Sequence, residues 1–213
     1  MLDTFHSSLQ ELYKTYNEVI KPLIADYEAR EEKFPTPIFN EIRAFNDHIA
    51  QCYRSDISDK EIQDEIKLAK RHIYRIVLDC YKYLDVSLYE KIQKFEKQTK
   101  HVDLTIIKDG LFYPEYKRLN TFSTKMVREA KSLESKDKDT ALELYQNAYN
   151  AYCEIENLID SSLQAVNWAR RKFNIGRALK IFGWFIAAIL SGLISLSISC
   201  NDYSVFFKHL FNY

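Results

Sequence analysis

The sequence predicts an all-α fold: a cytoplasmic bundle of about five helices over residues 1–175, one C-terminal transmembrane helix over 178–201 and a short extracytoplasmic tail, 202–213. Three observations carry that prediction. Apolar residues recur at steps of three and four along most of the first 175 positions, the period of helices with one buried face. Glycine and proline number only 4 each among 213 residues, too few for a loop-rich fold or a glycine-rich phosphate cradle. Residues 181–201, IFGWFIAAILSGLISLSISCN, hold no charge. As a helix they rise ~31 Å, which matches a hydrocarbon core ~30 Å thick.

Element by element, the first helix covers roughly 3–32, with Phe5, Leu9, Leu12, Tyr16, Val19, Leu23 and Tyr27 on one stripe and a kink expected at Pro22. Phe34-Pro35-Thr36-Pro37 breaks it, Thr36 serving as N-cap and Pro37 as first helical residue of a second helix to about Tyr53. Ser58-Asp59-Lys60-Glu61 is a capping box opening a third helix that continues to about Thr99, antiparallel to the second. Residues 101–114 are the least helical, an ordered loop over the bundle or a small hairpin at Asp109-Gly110. A fourth helix is expected from about Glu115 to Leu133. A fifth starts near Thr140 and runs with little interruption through Gly176 into the membrane.

Lysine plus arginine equal aspartate plus glutamate, 30 each, which argues against capture of nucleic acid by bulk charge. Charge near the apolar segment is lopsided. Arg170, Arg171, Lys172, Arg177 and Lys180 precede it, whereas only Asp202 and Lys208 follow it. Positive flanks stay inside. The expected location is therefore the inner (plasma) membrane, crossed once and C-terminally tail-anchored, with the N-terminal domain cytoplasmic. Trp184 suits one interface and Tyr203, Phe206 and Phe207 the other.

Cys52, Cys80, Cys153 and Cys200 are isolated, the first three reading as reduced core residues beside apolar stripes, and the histidines lack zinc-ligand spacing, so neither metal nor cofactor is expected. The 15 tyrosines and 13 phenylalanines read as core and edge filling rather than a base-stacking platform.

Three groups of residues carry candidate chemistry. Lys67, Arg71 and Arg75 fall four apart and form a basic ridge for a phosphate-bearing ligand, RNA or an acidic partner, or else a solvated face. Asp79 continues that row and could pair with Arg75. Within the apolar segment, Gly183, Ala187, Ser191, Ser195 and Ser199, flanked by Ala188 and Gly192, make one small-residue face, opposite Phe182, Phe185, Ile189, Leu193 and Leu196. Lipid supplies no hydrophobic drive between helices, so such a face suits self-association by close packing. Arg43-Ala44-Phe45-Asn46-Asp47-His48 places an arginine and a histidine five apart, about 140° around a regular helix. Arg43 is alternatively the i,i+4 partner of Asp47.

The Arg43 and His48 spacing resembles the R-x(4–6)-H signature of HEPN domains, all-helical bundles of which many are metal-independent ribonucleases when paired. That resemblance implies catalytic roles: His48 as general acid or base, Arg43 as phosphate holder. The pair lies on the second helix here, earlier than is usual in HEPN domains. Together with one span, the layout resembles the membrane-anchored accessory proteins of RNA-targeting CRISPR systems. The resemblance implies an oligomer at the membrane that supports antiviral defence, through permeabilisation, with RNA or a cytoplasmic defence protein as partner. Two alternatives stay open: a membrane-tethered HEPN-type ribonuclease, and a passive tether that recruits a cytoplasmic partner.

Overall fold

Ser58 opens the helix that both halves of the bundle share. Its Oγ accepts from the Glu61 amide at 3.4 Å, and the Glu61 carboxylate takes the Ser58 amide at 2.8 Å, so the capping box is reciprocal. The helix it starts, Asp59–Thr99, is 41 residues long. The computed structural model describes the backbone of residues 2–211 and the side chains of 5–195. It is all-α: α1 (Leu2–Thr15), a π-helical turn (Tyr16–Ile20), α2 (Lys21–Glu31), α3 (Thr36–Gln51), α4 (Asp59–Thr99), a 3₁₀ segment (Leu104–Gly110), α5 (Phe112–Leu133), α6 (Lys138–Ser161) and α7 (Leu163–Phe211), with no strand among the described residues.

Cross-helix side-chain pairs give the directions. His48 meets Glu65 and Glu41 meets His72, so α3 runs antiparallel to α4. Lys82 meets Glu134 and Glu96 meets Tyr116, so α5 is antiparallel to α4 as well. Tyr74 reaches Lys138 and Lys91 reaches Glu156, so α6 runs parallel to it. Two apolar clusters lie along this arrangement. The first joins α1, α2, α3 and the first half of α4 around Ile20, Phe45, Ile76 and Leu84. The second joins the rest of α4 to α5, α6 and the start of α7 around Leu88, Ile92, Phe112 and Ile155.

Several boundaries differ from the expected ones, each for a local reason. Instead of a kink at Pro22, the chain inserts a π turn just before it, in which the Lys21 amide bonds the Tyr16 carbonyl. A wider turn absorbs the missing proline donor without breaking the helix. It also turns Ile20 fully inward, beside the half-buried Val19. The N-cap of α3 is Pro35, not Thr36, and no side chain caps it; Pro37 lies inside the first turn, where its missing amide costs nothing. The helix α5 starts at Phe112 rather than near Glu115, because Pro114 is tolerated within the first turn in the same way. Residues 104–110 form an ordered 3₁₀ loop, not a hairpin: Asp103 accepts from the Thr105 amide, Ile107 is buried, and Lys108, Asp109 and Gly110 take left-handed backbone in succession. Ser162 interrupts the expected fifth helix, dividing it into α6 and α7. Cys52 and Cys80 are buried free thiols, the latter pushed up to about 12 by burial; Cys153 is half-buried, and Cys200 lies outside the described side chains.

Candidate functional site

Where the two apolar clusters meet on α4, packing leaves a gap. A cavity of about 600 Å³ opens between α4, α5 and α6. Tyr145 and Tyr152 of α6, Val127 and Thr124 of α5, and Val86 and Tyr89 of α4 line it. The rings of Tyr89 and Tyr152 meet edge-on, 6.5 Å between centroids. Val86 and Tyr89 are exposed at the mouth.

Asp85 belongs to this lining and is 3% exposed, and neither of its carboxylate oxygens has a hydrogen-bond partner. Desolvation alone pushes its carboxyl up to about 8. An unpartnered charge in an apolar site is so costly that the group holds its proton instead. At neutral pH Asp85 is therefore largely a carboxylic acid, with one donor and one acceptor unused. The lysine one turn back does not neutralise it. Lys82 pairs with Glu134 at 2.8 Å, and the same carboxylate accepts from the Tyr145 hydroxyl. That keeps Glu134 below its usual range despite its burial, and burial with the neighbouring carboxylate raises Tyr145. Arg128 and Lys131 stand exposed at the rim, in no ion pair among the described residues. The cavity thus has an acid on its wall, aromatic sides and a cationic lip.

Sequence reasoning did not single out Asp85, yet it left a trace. Ile73, Ile76, Cys80, Leu84, Leu88 and Ile92 define the inward stripe of α4, and Asp85 is the acidic residue within that stripe.

His48, proposed from the sequence, lies on the α4-facing side of α3 and is half-buried; Arg43 is exposed. The α-helical geometry of α3 holds the two on different faces, and Arg43 forms no ion pair with Asp47 among the described residues. His48 has other neighbours. Its Nδ1 lies 2.6 Å from Glu65, and its ring stacks on His72 with centroids 5.1 Å apart and planes 24° off parallel. His72 Nδ1 lies 2.6 Å from Glu41, which also draws Arg75 to 3.8 Å. This carboxylate–imidazole–imidazole–carboxylate row clasps α3 to α4.

Of the basic ridge, Lys67 is held by Asp64 at 3.0 Å and Arg75 leans to Glu41; Asp79, the partner expected for it, is instead half-buried and raised by desolvation. Arg71 and Arg75 line a concavity of about 410 Å³ with Lys70, Tyr74 and Lys138. On α7, Gly183, Ala187, Ala188, Ser191, Gly192 and Ser195 are all exposed, and nothing lies within 4 Å of a side chain added at Gly183 or Gly192. The bulky face is equally bare: Phe182, Phe185, Ile189 and Leu193 are exposed. Leu196, Ser199 and the aromatic residues after it lie outside the described side chains.

Fold and site together define an all-α bundle carrying one helix, among those described, that is long and apolar enough to cross a membrane. Comparison with known proteins adds no relative, since no family model, curated protein or solved structure matches the chain.

Proposed function

We propose that the protein is anchored in a membrane by α7, self-associates through the small-residue face of that helix, and acts there as an effector or accessory factor of antiviral defence. One observation supports the anchoring above all others. The stretch of α7 within Leu163–Ser195 that is apolar enough to span has none of its length covered by the bundle. Trp184, Phe182 and Phe185 are 79%, 63% and 65% exposed. In water such a surface would far exceed the few hundred Å² of contiguous apolar area a monomer tolerates. In a bilayer it has a natural solvent, and the basic run from Arg170 to Lys180 favours the bundle on the cytoplasmic side. The small-residue positions allow close helix approach, and the bare surroundings of Gly183 and Gly192 are compatible with a second helix there. The defence setting rests on the resemblance in layout and on Arg43 and His48. The half of the span rich in serine accords with permeabilisation by an assembled ring.

The test is the mass of the protein in detergent and its effect on vesicles. An oligomer that leaks dye, and loses both properties on Gly192→Leu or Ser191→Leu while staying in the membrane fraction, is the expected result. A monomer at every concentration defeats the reading.

A ribonuclease is the second reading, and the carboxylate-paired His48 stacked on His72 is what favours it, since general acid–base catalysis uses an imidazole held by such a partner. RNA cleavage that falls at least tenfold with His48→Ala supports it, and cleavage unaffected by the change removes it.

A further inference from the structure

We propose that the cavity between α4, α5 and α6 is a nucleotide-binding site, with the base seated on the Asp85 carboxyl and the phosphates on Lys82, Arg128 and Lys131. Buried polar groups in folded proteins nearly always have a partner, and a buried carboxyl with neither oxygen satisfied points to a partner that is not part of the chain.

The lining then restricts what that partner is. Three cations, Lys82, Arg128 and Lys131, against Glu134 and a largely protonated Asp85 leave the mouth net positive, so a metal ion, a polyamine or another cation is repelled. The occupant that fits is anionic at the mouth and brings hydrogen-bonding groups to the interior. Tyr89 lines the mouth and is 42% exposed, and a base stacked on such a ring gains ~1–3 kcal/mol. A volume of about 600 Å³ suits one small ligand rather than a folded strand. A lipid headgroup has the right charges in the wrong place. Asp85 lies 14 residues before Thr99, where α4 ends, or ~20 Å along the helix. The level at which α7 leaves the bundle is marked by His101 stacked on Phe173 beyond that end.

The carboxyl can read two kinds of base edge. As the neutral acid it donates to a ring nitrogen and accepts from an adjacent amino group, the edge of adenine or cytosine. As the carboxylate it accepts two N–H groups, the edge of guanine.

The experiment titrates ADP, CDP, GDP, adenosine, guanosine and pyrophosphate into the full chain in phospholipid nanodiscs, reading heat and thermal shift. At least one nucleoside diphosphate is expected to bind about tenfold or more tightly than pyrophosphate. Asp85→Leu abolishes that binding while unfolding no earlier than the parent, which separates lost recognition from lost folding. Arg128→Ala with Lys131→Ala weakens the diphosphate but not the matching nucleoside. Asp85→Asn, a mimic of the neutral acid, keeps ADP or CDP binding if the acid form reads the base, and loses GDP binding if the carboxylate does. Failure of all three nucleotides to bind below ~1 mM, binding of pyrophosphate as tight as theirs, or unchanged affinity in a folded Asp85→Leu protein overturns the proposal.

Discussion

At the scale of single residues, Asp85 burdens the bundle, since neither buried oxygen has a partner, and the cost depends on pH. Its carboxyl titrates at about 8 in the fold against 3.8 for the free group. Between those values the native state holds a proton that the unfolded chain has lost, so Asp85 makes the fold progressively less stable as pH rises from ~4 to ~8. Asp85→Leu removes that penalty and is expected to stabilise the protein at pH 8 by on the order of 1–4 kcal/mol, as replacement of buried ionic groups by apolar ones can. Denaturation at several pH values measures it. The advantage of the variant should grow with pH across that window, and an advantage constant with pH contradicts the assigned cause.

Arg30 behaves oppositely. Its Nε lies 3.0 Å from both Asp26 oxygens, and Nη1 and Nη2 reach Glu156 at 2.6 and 2.9 Å. Lys91 adds a bond to Glu156 at 2.7 Å. The Arg30 bond, ahead of the Lys91 one, holds Glu156 below its usual range against its burial. Arg30→Met is expected to cost ~2 kcal/mol. Because Glu156 is depressed in the fold, its share is present above its unfolded value and fades in acid. A mutant gap unchanged at low pH would count against the pairing as its origin. Neither effect was legible in the sequence: Arg30 and Glu156 are 126 positions apart, and only the parallel packing of α2 and α6 joins them.

At the scale of elements, legibility follows whether the governing physics is local. The capping box of α4 was readable because Ser58 and Glu61 are three apart. Ser58→Ala should destabilise the fold by ~1 kcal/mol, visible as a lower denaturation midpoint with an unchanged slope. The stripe of α4 was readable for the same reason, while its single acidic intruder passed unnoticed because periodicity is judged by the majority. Non-local choices were hidden. Whether Pro22 kinks a helix or is absorbed by a π turn depends on how Ile20 packs into the first cluster. The stack of His48 on His72 depends on the register of α3 against α4, which no spacing within either helix reveals. The pairing of Arg43 with His48 is a pattern in sequence that a regular helix does not turn into a common face.

At the scale of the molecule, two apolar clusters share one 41-residue helix. If the gap between them is a ligand site, filling it ties one cluster to the other. Hydrogen exchange should then slow on both sides of residue 85 when a nucleotide binds, and protection confined to the lining would argue against such coupling. The candidate span shows itself in sequence by composition alone, as 21 positions without charge. Its expected self-association is the prediction most open to a simple check: Gly192→Leu should lower the particle mass in detergent without releasing the protein from membranes.

The helix α7 begins packed in the bundle, with Val166 and Ala169 buried, and continues without a break past Gly176 to Phe211. No hinge or flexible tether separates the part in contact with the bundle from the part suited to lipid. A shaft of this kind transmits torque. Any swivel of the bundle would turn the apolar rod by the same angle, and with it the side that the proposed self-association would use.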